Sequence, residues 1–293
     1  MHLPTLSTLA VAATSALAAS LQRVDNFGSN PTGLGMYVYA PDRVAQNPAI
    51  IVALHPCGGS AQGWYSGTRL PQYADQHGFV LVYGETTKMS NCWDVHNPAS
   101  LTHNGGGDAA GIISMVKYTL QKYNGNASKV YVMGGSSGAM MTNVMAGSYP
   151  DVFEAGAAFS GTAFGCSAGS ESATPMSANQ TCAQGQIQHT PQEWGNFVRN
   201  AYPGYSGRRP RLQIFHGDAD WLVRPACAEQ ALTQWANVLG LQLTQTVPGF
   251  PSQQYTQKIY GDGKQLQGFM GSGVGHIAPV NEEVMLKFFG ILQ

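Results

Sequence analysis

The 293-residue sequence predicts an α/β protein with a mainly parallel central sheet covered by helices on both faces. Three observations predict it. Short, continuous apolar runs recur along the chain, the pattern of strands buried on both faces. Segments with helical spacing fall between them. The two kinds alternate for most of the length, the order that joins parallel strands through helices.

The strands, in order, are 49–54 (AIIVAL), 79–83 (FVLVY), 130–133 (VYVM), a weaker 155–159 (AGAAF) and 212–215 (LQIF). An earlier segment, 36–39, is expected as an antiparallel edge strand. Ile112, Met115, Val116, Thr119 and Leu120 repeat at i, i+3, i+4 intervals, with Asp108 near the start of that helix. Residues 226–239 and 281–289 read as further helices. Residues 160–190 break the rhythm. They are rich in Ser, Ala, Gly and Gln, hold two cysteines, and are expected to lie as an insertion over the carboxyl edge of the sheet. A single domain is expected over 19–293, with no Pro/Thr/Ser-rich stalk and no small appended domain.

Composition narrows the function classes. Hydrophobic residues make up 43%, enough for a sizeable core. Charged residues are only 11%, against about a quarter in ordinary soluble proteins. With a net charge of -1, nothing points to nucleic acid or an anionic membrane surface. A neutral, polar surface suits secreted proteins that work on neutral polymers. Residues 6–19 are apolar and Ala-rich, too short to span a bilayer, and end in Ala16-Leu17-Ala18-Ala19. This small-x-small ending predicts a signal peptide over 1–18 and an extracellular protein, although His2 and the free amine replace the usual basic n-region.

Export makes disulfides the default for the five cysteines. Cys166 and Cys182 flank the insertion and are the first candidate pair; Cys57 and Cys92 are a second, which leaves Cys227 unpaired. No cysteine spacing fits a zinc site, and neither metal nor cofactor is expected. Asn126-Ala127-Ser128 and Asn179-Gln180-Thr181 are glycosylation sequons.

The chemistry is written in Gly134-Gly135-Ser136-Ser137-Gly138. A G-x-S-x-G turn between strand and helix exposes a nucleophilic serine, and its glycines are needed because the turn is too tight for side chains. A second match, Gly165-Cys166-Ser167-Ala168-Gly169, shows how weak the pattern is alone in a glycine-rich chain. Context separates them: Ser136 follows the 130–133 strand and precedes a helix-forming stretch, whereas Ser167 lies in the insertion. In the α/β-hydrolase fold the acid and then the base follow the serine. Of His189, His216 and His276, the last sits in a glycine-rich loop before the final helix, where this fold delivers its base. His216 directly follows a strand and reads as structural. Asp218 and Asp220 both stand in the position of the acid. Asp218 is suited to bracing its own turn, while Asp220 precedes Trp221-Leu222-Val223, which can dock the loop, and is preferred. The oxyanion donors are expected to be the amide of Ser137 and that of Cys57, in the loop Leu54-His55-Pro56-Cys57-Gly58-Gly59-Ser60.

Several stretches together resemble fungal carbohydrate esterase family 1, the type B feruloyl esterases and acetylxylan esterases, from about Leu21 to the end. They are His55-Pro56-Cys57-Gly58-Gly59-Ser60, Thr102-His103-Asn104-Gly105-Gly106-Gly107, Ser136-Ser137-Gly138-Ala139-Met140-Met141-Thr142-Asn143, Tyr202-Pro203-Gly204-Tyr205 and Gly273-Val274-Gly275-His276. The resemblance implies a triad of Ser136, Asp220 and His276, with Cys57 and Ser137 as oxyanion donors. It also implies an enzyme acting on hydroxycinnamoyl esters of plant cell-wall xylan, with acetylxylan esterase as the alternative. More distant readings are a polyester depolymerase and a non-catalytic wall-binding protein. Trp93, Tyr65 and Trp221 are candidate aromatic contacts for substrate, although packing is the commoner fate of such residues.

Overall fold

Ile50–Leu54 and Ala155–Phe159 are buried at every residue, as strands covered on both faces must be. The structure, a computed structural model, describes residues 19–170 and 180–293. The signal peptide expected over 1–18, and Asn179, lie outside the described residues. The strands are β1 (Gln22–Val24), β2 (Gly35–Tyr39), β3 (Ile50–Leu54), β4 (Val80–Glu85), β5 (Val130–Gly135), β6 (Ala155–Phe159), β7 (Arg211–Gly217), β8 (Leu243–Pro248), β9 (Tyr255–Tyr260) and β10 (Leu266–Gly271). They form one sheet in the order β1-β2-β4-β3-β5-β6-β7-β10-β9-β8. From β4 to β10 all pairings are parallel; β1 and β2 at one side, and β9 and β8 at the other, are antiparallel.

The helices are α1 (Ala61–Ser66), α2 (Leu70–His77), α3 (Pro98–Leu101), α4 (Gly107–Tyr123), α5 (Ser137–Ser148), α6 (Gln180–Ala183), α7 (Pro191–Ala201), α8 (Ala226–Leu239) and α9 (Glu282–Phe289). Successive side chains of a strand point to opposite faces. Ile50, Val52 and Leu54 therefore join the core under α4, α5, α7 and α8, while Ile51 and Ala53 join a second core under α1, α2 and α9.

Two expectations need correction. Segment 36–39 is antiparallel, but it is not the edge: β1 pairs outside it, Gln22 opposite Val38. β1 carries no sequence signal because it is short and mostly exposed. The sequence reading also ended the sheet at β7, and β8, β9 and β10 extend it. β8 is exposed at nearly every residue and so lacks an apolar run, while Gly268 interrupts β10. Helix α7 begins with a capping box, Thr190 reciprocally bonded to Glu193, directly after the insertion.

The described parts of 160–190 are stitched to loops at the carboxyl ends of the strands. Gly169 N–H donates to His96 O (3.0 Å) and Arg224 N–H to Ala183 O (2.8 Å). Disulfides join Cys57 to Cys92 and Cys166 to Cys182. Cys227 is a buried thiol whose sulfur lies 3.2 Å from Cys182 O and 3.3 Å from Ala183 O, at the end of α6. Asn126 sits half-buried in the α4–β5 loop, its Oδ1 accepting from Ser128 N–H (2.9 Å) and Oγ–H (2.7 Å).

Candidate active site

The turn from β5 into α5 cannot be built with larger residues. A Cβ on Gly138 would run into Leu54 O, and one on Gly134 into the Gly138 carbonyl. Between them Ser136 is held at φ 53°, ψ -118°, a backbone conformation that non-glycine residues adopt at a cost. Its N–H donates to Phe159 O (2.8 Å), which locks the turn onto β6.

His276 arrives on the loop after β10. Three anchors fix that loop: Gly273 N–H donates to Asp218 Oδ1 (2.6 Å), Ala219 N–H to Val274 O (3.1 Å), and Ala278 N–H to Ser160 Oγ (2.9 Å). Asp218 is thus the brace and Asp220 the partner of the imidazole. Asp220 Oδ2 lies 2.7 Å from His276 Nδ1, and His276 Nε2 lies 2.8 Å from Ser136 Oγ. An ionised carboxylate only accepts, so Nδ1 carries the imidazole proton and Nε2 is free to accept from the serine hydroxyl.

Asp220 is 1% exposed. Burial works against its charge. Hydrogen bonds from His216, from His276 and from Val223 N–H outweigh that burial and hold the carboxyl well below the usual range. Leu222 N–H (3.0 Å) and Val223 N–H (2.9 Å) both donate to Oδ1. His216 is fully buried; its Nε2–H donates to Val223 O (2.8 Å) and stands 3.4 Å from Asp220 Oδ2. His189 instead packs edge-on against Trp194 and Phe197. Ser167 lies buried in a turn next to the disulfide of Cys166.

The loop after β3 is shaped by His55. Its Nδ1–H donates to Pro56 O (2.8 Å) and its Nε2 accepts from Thr86 N–H (3.1 Å). Burial lowers the His55 pKa, which keeps this imidazole neutral. Cys57 follows, pinned by its disulfide and by Gly58 N–H donating to Ser90 O (2.9 Å). Among the described residues the Cys57 N–H donates to no backbone carbonyl. Ser137, the first residue of α5, carries one of the first-turn N–H groups that a helix leaves unsatisfied.

The aromatic candidates part company here. Trp93 is not a substrate contact: it is fully buried, its N–H donates to Ser137 Oγ (2.7 Å) and its Nε1–H to His55 O (2.9 Å). It thereby ties the two candidate oxyanion loops together. Tyr65 is half-buried and packs on Tyr39 and Tyr83, centroids 5.6 and 5.7 Å away, so its ring is spent on the core. Trp221 is 68% exposed, beside Asp220. The sequence reading missed Trp64, whose ring edge comes up to Gly135, alongside Ile277. Its only signal was its place on α1, a short helix that the pattern did not reveal. Among the described residues no cluster of His, Cys, Asp or Glu could hold a metal ion, and no helix is long and apolar enough to cross a membrane.

A serine on a strained strand-to-helix turn, an acid after β7 and a histidine after β10, on a sheet of this order, define an α/β-hydrolase with the constellation of a serine ester hydrolase. The chain matches the family described as esterase PHB depolymerase over residues 34–246 and belongs to it. It is a carboxylic ester hydrolase. Feruloyl esterase B of Neurospora crassa is 66% identical over 289 residues, covering 99% of both chains. Feruloyl esterase B of Thermothelomyces thermophilus is also 66% identical, over 97% of each. Among solved structures, acetyl xylan esterase from Aspergillus awamori superposes with a TM-score of 0.89 at 42% identity, covering 93% of this chain and 99% of its own.

Proposed function

We propose that this chain is a secreted feruloyl esterase that hydrolyses ferulate and p-coumarate esters on arabinoxylan through a Ser136–His276–Asp220 acyl-enzyme. The observation that carries the mechanism is the unbroken line of hydrogen bonds, 2.8 Å from Ser136 to His276 and 2.7 Å on to Asp220. His276 Nε2 takes the Ser136 proton as Oγ attacks the ester carbonyl carbon. The oxyanion that forms is stabilised by the Cys57 and Ser137 amides. The imidazolium, stabilised by Asp220, returns its proton to the departing sugar oxygen and the C–O bond breaks. Water then attacks the acyl carbon, His276 takes its proton, and the acid leaves as Ser136 is reprotonated. Neither cofactor nor metal enters these steps.

The relatives named feruloyl esterase B support the acyl group. Trp221, exposed beside the acid, is the aromatic platform for a phenolic ring or sugar. Residues 1–18 are the leader, residues 19–293 the single catalytic domain, and Asn126 and Asn179 the glycan sites. A second reading, acetylxylan esterase, is favoured by the Aspergillus awamori structure and by the probable acetylxylan esterase A of Aspergillus clavatus, 46% identical over 94% of this chain. Rates on methyl ferulate, methyl p-coumarate and acetylated xylan separate the two. Ferulate release is expected to dominate, and release of acetate alone would overturn the feruloyl reading. Trp221→Ala is expected to raise KM for the feruloyl ester without lowering the melting temperature, because the ring is mostly in solvent.

A further inference from the structure

The sheet face under α9 is not fully covered. Beside that helix, where β7, β10 and β9 run side by side, a cavity of about 430 Å³ opens, within the 300 to 1,000 Å³ range of small-ligand sites. Three glutamines from three adjacent strands border it: Gln213 on β7, Gln267 on β10 and Gln257 on β9. Gln213 and Gln267 are register partners, and Gln213 Nε2 donates to Gln267 Oε1 (2.8 Å). That leaves Gln213 Oε1, on a fully buried side chain, with no hydrogen-bond partner. An unpaired buried acceptor is a costly thing to keep on a sheet face that apolar side chains could fill.

The walls are aromatic. Phe250, from the β8–β9 connection, is 42% exposed, one of three large apolar residues standing out among the described residues. Phe288 of α9 lines the cavity as well. The charges nearby, Glu283 and Lys287, are paired with each other at 2.9 Å, so the site has no net charge to offer an ionic ligand. Amides that donate and accept, beside an exposed ring and without net charge, match one ligand chemistry: a neutral, polyhydroxylated sugar chain. Gln213 lies four residues before the end of β7, roughly 13 Å of strand from the edge where the triad sits, so a chain held here need not pass through the ester site.

We propose that this cavity is a second glycan-binding site, which holds the xylan backbone while the triad works on an ester elsewhere on the polymer. The polymer's identity rests on the feruloyl esterase reading; the site itself does not. The test is affinity electrophoresis of the full chain in gels containing de-esterified arabinoxylan, a polymer that offers the triad no ester. The wild type is expected to be retarded. Phe250→Ala and Gln257→Leu are each expected to weaken that binding by about ten-fold, with methyl ferulate turnover and melting temperature unchanged. A wild type that is not retarded, or variants retarded as strongly as the wild type, would overturn the proposal. Failure of the feruloyl reading shows separately, as a wild type that does not turn over methyl ferulate at all.

Discussion

Replacing Asp220 by Asn removes one charge and almost no volume from the centre of the site. Leu222 and Val223 can still donate to the amide oxygen, so the loop that follows β7 keeps its hydrogen bonds. The change falls on His276. In the wild type the carboxylate accepts from Nδ1 at 2.7 Å and faces the imidazolium as it forms. With charge centres about 4 Å apart and an effective dielectric of about 20, that attraction is worth about 4 kcal/mol. Loss of 4 kcal/mol at the transition state slows the reaction by roughly a thousand-fold. An Asn amide also donates toward Nδ1, which moves the imidazole proton to Nε2 and blocks acceptance from Ser136. The expected outcome for Asp220→Asn is therefore a fall in kcat of about a thousand-fold or more on methyl ferulate, with KM nearly unchanged and native near-UV circular dichroism retained. A loss smaller than ten-fold would refute the reasoning, because it would mean that neither the charge nor the tautomer matters.

Other outcomes follow from the same contacts. Trp93→Phe is expected to lower the melting temperature and kcat while leaving KM for methyl ferulate unchanged; a selective rise in KM would restore Trp93 as a substrate contact. Burial pushes the Cys227 thiol up to about 12, so a disulfide-exchange reagent at pH 8 is expected to find almost no thiol in the native chain and about one after denaturation without reductant. His55 is held neutral by burial, with its folded pKa below its unfolded value of about 6.5. Below pH 6.5 the unfolded chain binds the proton first, so stability falls with pH through this window. Urea midpoints at pH 7 and pH 5 are expected to show that fall, and to show less of it in His55→Asn.

The centre of this fold was readable because burial on both faces demands apolar runs: β3, β4 and β5 carry unbroken ones, and β7 has one interrupted by Gln213. The flank was not, because β8 is exposed and Thr- and Gln-rich, and β9 alternates buried with half-buried residues over only six positions. Ser136 was legible from the strand before it and the helix after it, since the tight turn restricts its neighbours to small residues. For the acid, chain order and the docking segment after it favoured Asp220 over Asp218, and the fold shows the reason for the difference: Asp218 bonds a backbone amide and Asp220 an imidazole. Aromatic residues were read worst. Whether Trp93, Tyr65 or Trp64 faces solvent or core depends on loops packed from distant parts of the chain, and no local pattern encodes that.

The most direct measurement of the catalytic assignment is covalent labelling of the nucleophile. The wild type, inactivated with a stoichiometric organophosphonate ester and digested, is expected to carry one adduct, on Ser136, while Ser136→Ala takes up none and releases no ferulate. An adduct on Ser137 or Ser167, or feruloyl esterase activity that survives Ser136→Ala, would contradict it.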